Sequence, residues 1–329
     1  MSNEFLAGRR GLFCHYLFPL LFDARGHRVT DLDATVESFD VDRFADQVKQ
    51  SRSHHLVFTF GQNSGYYIAP NEVIDRYVGK GHCPKRDLFG DIADAVTARG
   101  IALIGYLPCE VRANISLHEG FRWSENRYTA QTAFQKRYLE AVAFWAKRYG
   151  KKLSGWWFDG CYSWPFFHHR HLKISAWMAA ARAGNPDAAV AFNDGGFLEN
   201  SVMPVFREQD YLSGEANDLR GGWPVFAKSG KVFRFSSPFC PGTKTLRHLT
   251  LPIDALWWHG NSDVLPGCDR FKPVADPKIF ERPAFSDAEL NQVIRRFCGV
   301  GAAVTFNVAI RADGLLAPDT IAQLAGLEN

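Results

Sequence analysis

The chain has 329 residues and a formal net charge of +3, with Lys, Arg, Asp and Glu scattered rather than gathered in blocks. It lacks the electrostatic footprint of a nucleic-acid binder and holds no apolar run near the roughly 18 residues that span a bilayer, so neither nucleic acid nor membrane is an expected partner. Aromatic residues at 14%, with 27 Phe and 9 Trp, suit a well-filled core or a cleft for the apolar face of a sugar ring.

In chain order, Gly11 to Tyr16 (GLFCHY) predicts a first strand, and Asp40 caps a helix that turns Val41, Phe44, Ala45 and Val48 to one side. His55 to Phe60 (HLVFTF) is a second strand. Leu88, Ile92, Ala95 and Val96 line a helix that Gly100 ends, and Ile101 to Leu107 (IALIGYL) follows as a third strand. A long helix through Tyr138, Ala141, Val142, Trp145 and Tyr149 stops at Gly150 and leads to the apolar run Gly155 to Phe158, closed by Asp159. Trp177 and Met178 belong to another helix, and Ala188 to Phe192 (AAVAF) is a fifth strand. Tyr211 to Ser213 is a short sixth. Between Arg220 and Phe280 the periodicity fades, and either Val232 to Ser236 or Ala255 to Trp258 fills the seventh strand position. Ser286 and Glu289 form a capping box before Val293, Ile294 and Phe297, Ala302 to Val308 is the last strand, and Pro318 opens a closing helix.

Strands alternating with helices predict an α/β fold, a (β/α)8 TIM-like barrel irregular in its seventh unit, forming a single domain over residues 1–329. A doubly wound nucleotide-binding sheet is disfavoured because GxGxxG and a P-loop are absent. The start, MSNEFLAGRRGLF, shows no signal-peptide pattern, and seven cysteines stand widely spaced without a CxxC pair. Together these predict a cytoplasmic protein with reduced, structural thiols.

Asp159 ends a strand buried on both faces and is followed at once by Gly160, which is where the loops of a β/α barrel build an active site. An Asp before Gly also serves as a cap or turn residue. Other polar or aromatic side chains fall at the same ends: His15 and Tyr16, Gln62 and Asn63, Tyr106 and Glu110, Asn193 and Asp194, Glu215, Trp258 and His259, and Asn307. Each has a bland reading, yet a nearly complete ring predicts a polar pocket, with Trp157 adding aromatic surface beside the carboxylate. The cluster His168, His169 and His171 matches no zinc spacing, no GxSxG elbow is present and Cys161 has no identifiable base partner. Neither metal nor organic cofactor is expected, and oligomeric state is not encoded in any pattern.

GLFCHY, FDVDRFADQVKQ, PKRDLFGDIADAVTARGI, WWFDG, AFND, the GE at Gly214 and Glu215, and AAVTFNVAIRADGLL together resemble the catalytic barrel of α-L-fucosidases, glycoside hydrolase family 29. The resemblance implies a retaining exo-glycosidase with Asp159 as nucleophile and Glu215 as general acid/base. The family's His-Trp-Gly is replaced by His15, Tyr16 and Leu17, and its Lys-His-His-Asp-Gly by Gly61, Gln62, Asn63, Ser64 and Gly65. Gly195 stands where an Arg commonly follows the fifth-strand Asn-Asp, and the C-terminal β-sandwich common in the family is not expected after residue 329. These departures predict a fucose-like, deoxy- or otherwise modified sugar rather than ordinary α-L-fucosides.

Such chemistry needs one carboxylate to attack the anomeric carbon and another to protonate the leaving oxygen and later activate water. Glu110 and Glu199 are the loop alternatives to Glu215. A catalytically weak or inactive glycan-binding barrel is the alternative in a different class, and a transglycosylase or lyase on the same fold is a third.

Overall fold

The computed structural model describes residues 2–62, 64–126, 128–161, 171–193, 195, 203–216, 235–254, 257 and 283–328. Seven strands form one parallel sheet: β1 (Arg10–Cys14), β2 (His55–Thr59), β3 (Ala102–Pro108), β4 (Leu153–Asp159), β5 (Ala189–Phe192), β6 (His248–Pro252) and β7 (Ala303–Val308), in the order β5-β4-β3-β2-β1-β7-β6. Helices α1 (Leu32–Glu37), α2 (Val41–Gln50), α3 (Glu72–Tyr77), α4 (Leu88–Ala98), α5 (Ile115–Phe121), α6 (Thr132–Tyr149), α7 (Ile174–Ala181), α8 (Asp287–Phe297) and α9 (Pro318–Gly326) intervene. The helix stops and starts follow local chemistry: the Asp40 side chain accepts from Arg43 N, Ser286 and Glu289 cap each other reciprocally, and Gly100 takes a left-handed φ of 75°.

The strands are buried on both faces, and their side chains alternate between two cores with period two. Leu12, Leu56, Phe58, Leu103, Phe158, Val190, Leu251 and Phe306 face the helices. Phe13, Val57, Ile104, Tyr106, Trp157, Ala191 and Ala303 make the opposite, concave core. The sheet is strongly curled. β2 and β6 stand three strand spacings apart, roughly 14 Å in a flat sheet, yet the rings of His55 and His248 lie 6.3 Å apart. Both bond to Thr305 of β7, at 2.7 and 2.6 Å. Gly11 makes room for this crossing, since a Cβ there would lie 2.3 Å from the His55 ring.

This is an α/β half-barrel that corresponds at coarse level to a TIM-like barrel. Between its edge strands runs the segment from Asp210 to Ala216. Asp210 N donates to Val190 O of β5, Leu212 N to Leu246 O, and Ala216 N to Thr250 O of β6. Strand β6 at HLTLP occupies a stretch for which the sequence pattern predicted no strand. Of the two stretches predicted instead, Phe235 and Ser236 are not strand, and Val232 to Arg234 with Ala255, Leu256 and Trp258 lie outside the described residues. No described helix is long and apolar enough to cross a membrane.

Candidate active site

Strand parity decides which side chains meet. In the parallel register Tyr106 pairs with Trp157, Trp157 with Ala191, and Phe13 with Asn307, so the concave face carries His15, Tyr106, Asp159, Asn193 and Asn307 at its C-terminal rim. Tyr16 has the other parity. It is fully buried under the helices against Phe39 and Phe58, and its hydroxyl donates to Ala312 O at 2.7 Å, so the structure sets it apart from the other expected sugar contacts.

Asp159 is buried, and its carboxylate accepts from three side chains on three elements. Asn193 Nδ2 reaches Oδ1 at 2.8 Å, Gln62 Nε2 reaches Oδ2 at 3.1 Å, and the Tyr106 hydroxyl donates a short hydrogen bond to Oδ2. Trp157 stacks on Tyr106 at 5.3 Å and closes the floor beneath. Gly160 has φ of 73° and packs against Glu110, where a Cβ would meet Cγ at 2.8 Å. Conformation and space both require glycine after this Asp.

Glu215 enters from the segment beside β6. Gly214 has φ of 68°, and a Cβ there would lie 2.0 Å from His248 O, so only glycine lets the chain approach β6 before turning Glu215 into the concavity. The Glu215 carboxylate accepts from Asn193 Nδ2 at 2.5 Å. One amide nitrogen therefore serves both acids. Asn193 is itself fixed, because its Oδ1 accepts from Ser213 Oγ at 3.0 Å and from Gly195 N at 3.2 Å, which sets the amide's orientation.

A third carboxyl, Glu110, is buried next to this pair; burial first, then the charge of Asp159, pushes its pKa up to about 7 against a backbone bond from Arg112 N. His15 is held neutral by burial, its pKa pushed down to about 4. Asn307 Nδ2 donates to Trp257 O at 3.0 Å, so its Oδ1 accepts and His15 Nδ1 is the donor at 2.8 Å. The site thus combines two acids on a shared donor, a neutral imidazole and aromatic walls. That constellation suits acid/base and nucleophilic chemistry.

Asn63, Asp194, Trp258, His259 and Glu199, expected in or near the pocket, lie outside the described residues, as do His168 and His169. Two participants were not singled out beforehand. Asn114, in the loop after β3, donates from Nδ2 to Gln62 O at 3.1 Å, and Ser213 anchors Asn193. Neither carries a sequence signal beyond a polar residue near a strand end. Among the described residues no group of three His, Cys, Asp or Glu side chains converges to hold a metal ion.

No protein-family model and no curated protein sequence matches the chain. Solved structures do. An endo-fucoidan hydrolase, MfFcnA4 of glycoside hydrolase family 107, aligns with a TM-score of 0.71 at 15% identity over 98% of this chain and 52% of its own. An α-L-fucosidase of family 29 from Bacteroides thetaiotaomicron aligns with a TM-score of 0.62 at 16% identity over 97% and 70%. A bacterial fucosidase with a dihydroxy-methylpyrrolidine triazole inhibitor gives 0.63 at 16% over the same shares. The chain spans about half the length of the endo-fucoidan hydrolase. At such identities the likeness establishes a common fold, and the fold is one used by fucose-active glycoside hydrolases.

Proposed function

We propose that the protein is a retaining glycoside hydrolase acting at the end of a glycan on a fucose-like, deoxy- or modified sugar, with the segment from Asp210 to Ala216 completing a (β/α)8 barrel. The observation that carries this is the shared donor Asn193 Nδ2. It limits the nearest oxygens of Asp159 and Glu215 to a separation no greater than the sum of a 2.8 Å and a 2.5 Å bond. Retaining enzymes keep their carboxyl groups about 5 to 5.5 Å apart, whereas inverting ones leave about 6.5 to 9.5 Å for a water.

In the first step the Asp159 carboxylate attacks the anomeric carbon, the bond to the leaving oxygen breaks, and Glu215 gives that oxygen its proton. In the second, Glu215 takes a proton from water, water attacks the same carbon, and the bond to Asp159 breaks. Tyr106, Gln62 and Asn193 orient the attacking carboxylate, while His15 offers neutral hydrogen bonding to a hydroxyl. No cofactor enters either step. Fucose-acting neighbours on the same fold support the sugar class, and they include both fucosidases and an endo-acting enzyme, so product size is part of the test.

Glu110 is the competing acid, favoured by a pKa near 7. Aryl glycosides with good leaving groups need little protonation. Glu215→Gln should therefore keep cleavage of an activated aryl glycoside in the presence of azide, yielding a glycosyl azide, while losing it on an alkyl glycoside. Finding that pattern in Glu110→Gln instead would transfer the role.

A further inference from the structure

We propose that Cys109 and Cys161 form a covalent cross-link site, a disulfide joining the end of β3 to the turn that follows the nucleophile. Their sulfurs lie 3.1 Å apart, in contact, although the residues are 52 positions apart in the chain. Both are fully buried. The frame around them is already fixed: Pro108 pairs with Asp159 in the parallel register, Cys109 N donates to Asp159 O at 2.6 Å, and Cys161 N to Asn193 O at 2.8 Å. Closing the sulfurs to the roughly 2.05 Å of a disulfide asks for a movement of about 1 Å, within reach of side-chain rotation on neighbouring strands.

The bond forms by exchange with a small disulfide such as oxidised glutathione. The two thiols lose two protons and two electrons, one sulfur–sulfur bond forms, and the glutathione disulfide is reduced to two glutathione thiols. Burial pushes the Cys109 thiol well above its usual range, which makes exchange slow in the folded protein. The link is therefore made as the chain folds, and afterwards the same burial shields it from reductants. It would hold the segment that carries Asp159 and Glu110, and it reverses the expectation that all thiols stay reduced.

The full-length protein is unfolded and refolded either in a glutathione redox buffer or in excess reductant, then alkylated under denaturing conditions without reduction and mapped by mass spectrometry. The oxidised sample should yield one cross-linked peptide pair containing Cys109 and Cys161, lighter by the mass of two hydrogen atoms. Its Tm should exceed that of the reduced sample by roughly 5 °C, as a loop of this length implies. Cys109→Ala and Cys161→Ala should each abolish both differences, whereas Cys14→Ala should keep them. Alkylation of every cysteine after oxidative refolding, a cross-link between other cysteines, or equal Tm values in the two wild-type samples would overturn the proposal.

Discussion

Asp159 and Glu215 accept hydrogen bonds from the same nitrogen, Nδ2 of Asn193, although they arrive from β4 and from the segment beside β6. Asn193 follows β5, between them in the chain, and its two amide hydrogens are both committed. In the proposed mechanism it positions the two acids.

Asn193→Ala should lower kcat by about 10- to 100-fold with little change in KM, because hydrogen bonds to charged groups contribute about 1.5 to 3 kcal/mol. Ser213→Ala should act in the same direction and more weakly, since it only loosens the anchor of the amide. Steady-state kinetics with melting curves on both variants separate this from loss of folding.

Tyr106→Phe removes a donor to Asp159 while keeping the ring stacked on Trp157. Activity should drop roughly tenfold, the effect of one hydrogen bond to a charged group. Gln62 sits where the resembling family has ionisable residues. Simple aryl α-L-fucosides should be poor substrates, and Gln62→Ala should alter the ranking of a glycoside panel. Fast turnover of aryl α-L-fucoside that Gln62→Ala leaves unchanged would contradict this.

Burial pushes the pKa of His15 and His248 down to about 4 and that of His55 well below its usual value. Their contribution to stability is present above about pH 6.5 and is lost as the pH falls from there toward about 4. Glu110 works the other way: raised to about 7, it contributes stability below about pH 4.5 that is lost as the pH rises through 7. Three imidazoles outweigh one carboxyl. Denaturant titrations should show stability falling between pH 6.5 and 4.5, by on the order of 1 to 3 kcal/mol per pH unit.

Glu110→Gln removes the opposing carboxyl. Stability should rise at pH 8 by on the order of 1 to 3 kcal/mol and stay unchanged at pH 4.5. Equal stability of variant and wild type at pH 8 would show that the carboxyl titrates normally.

Much of this architecture is written locally. Short apolar runs, Asp40, the Ser286 and Glu289 pair, Gly100 and Gly150 mark strands and helix ends by short-range chemistry that survives tertiary context. β6 escaped because His248 and Thr250 point inward among polar partners, which breaks the apolar run that signals a doubly buried strand. Tyr16 was legible as a residue at a strand end, but side choice depends on where the strand's parity settles, and a one-residue difference sends a ring to the opposite core. The contacts of Asn193 were hidden for another reason. Nothing near it in sequence reveals that Asp159 and Glu215 converge on one amide; only the curl of the sheet does.

Asp159 is proposed to attack the anomeric carbon. Incubation with a 2-deoxy-2-fluoro glycosyl fluoride of the preferred sugar, followed by proteolysis and mass spectrometry, should find the sugar covalently bound to the peptide carrying Asp159. A label on Glu215, Glu110 or another residue, or turnover with inverted anomeric configuration and no trapped intermediate, would contradict the account.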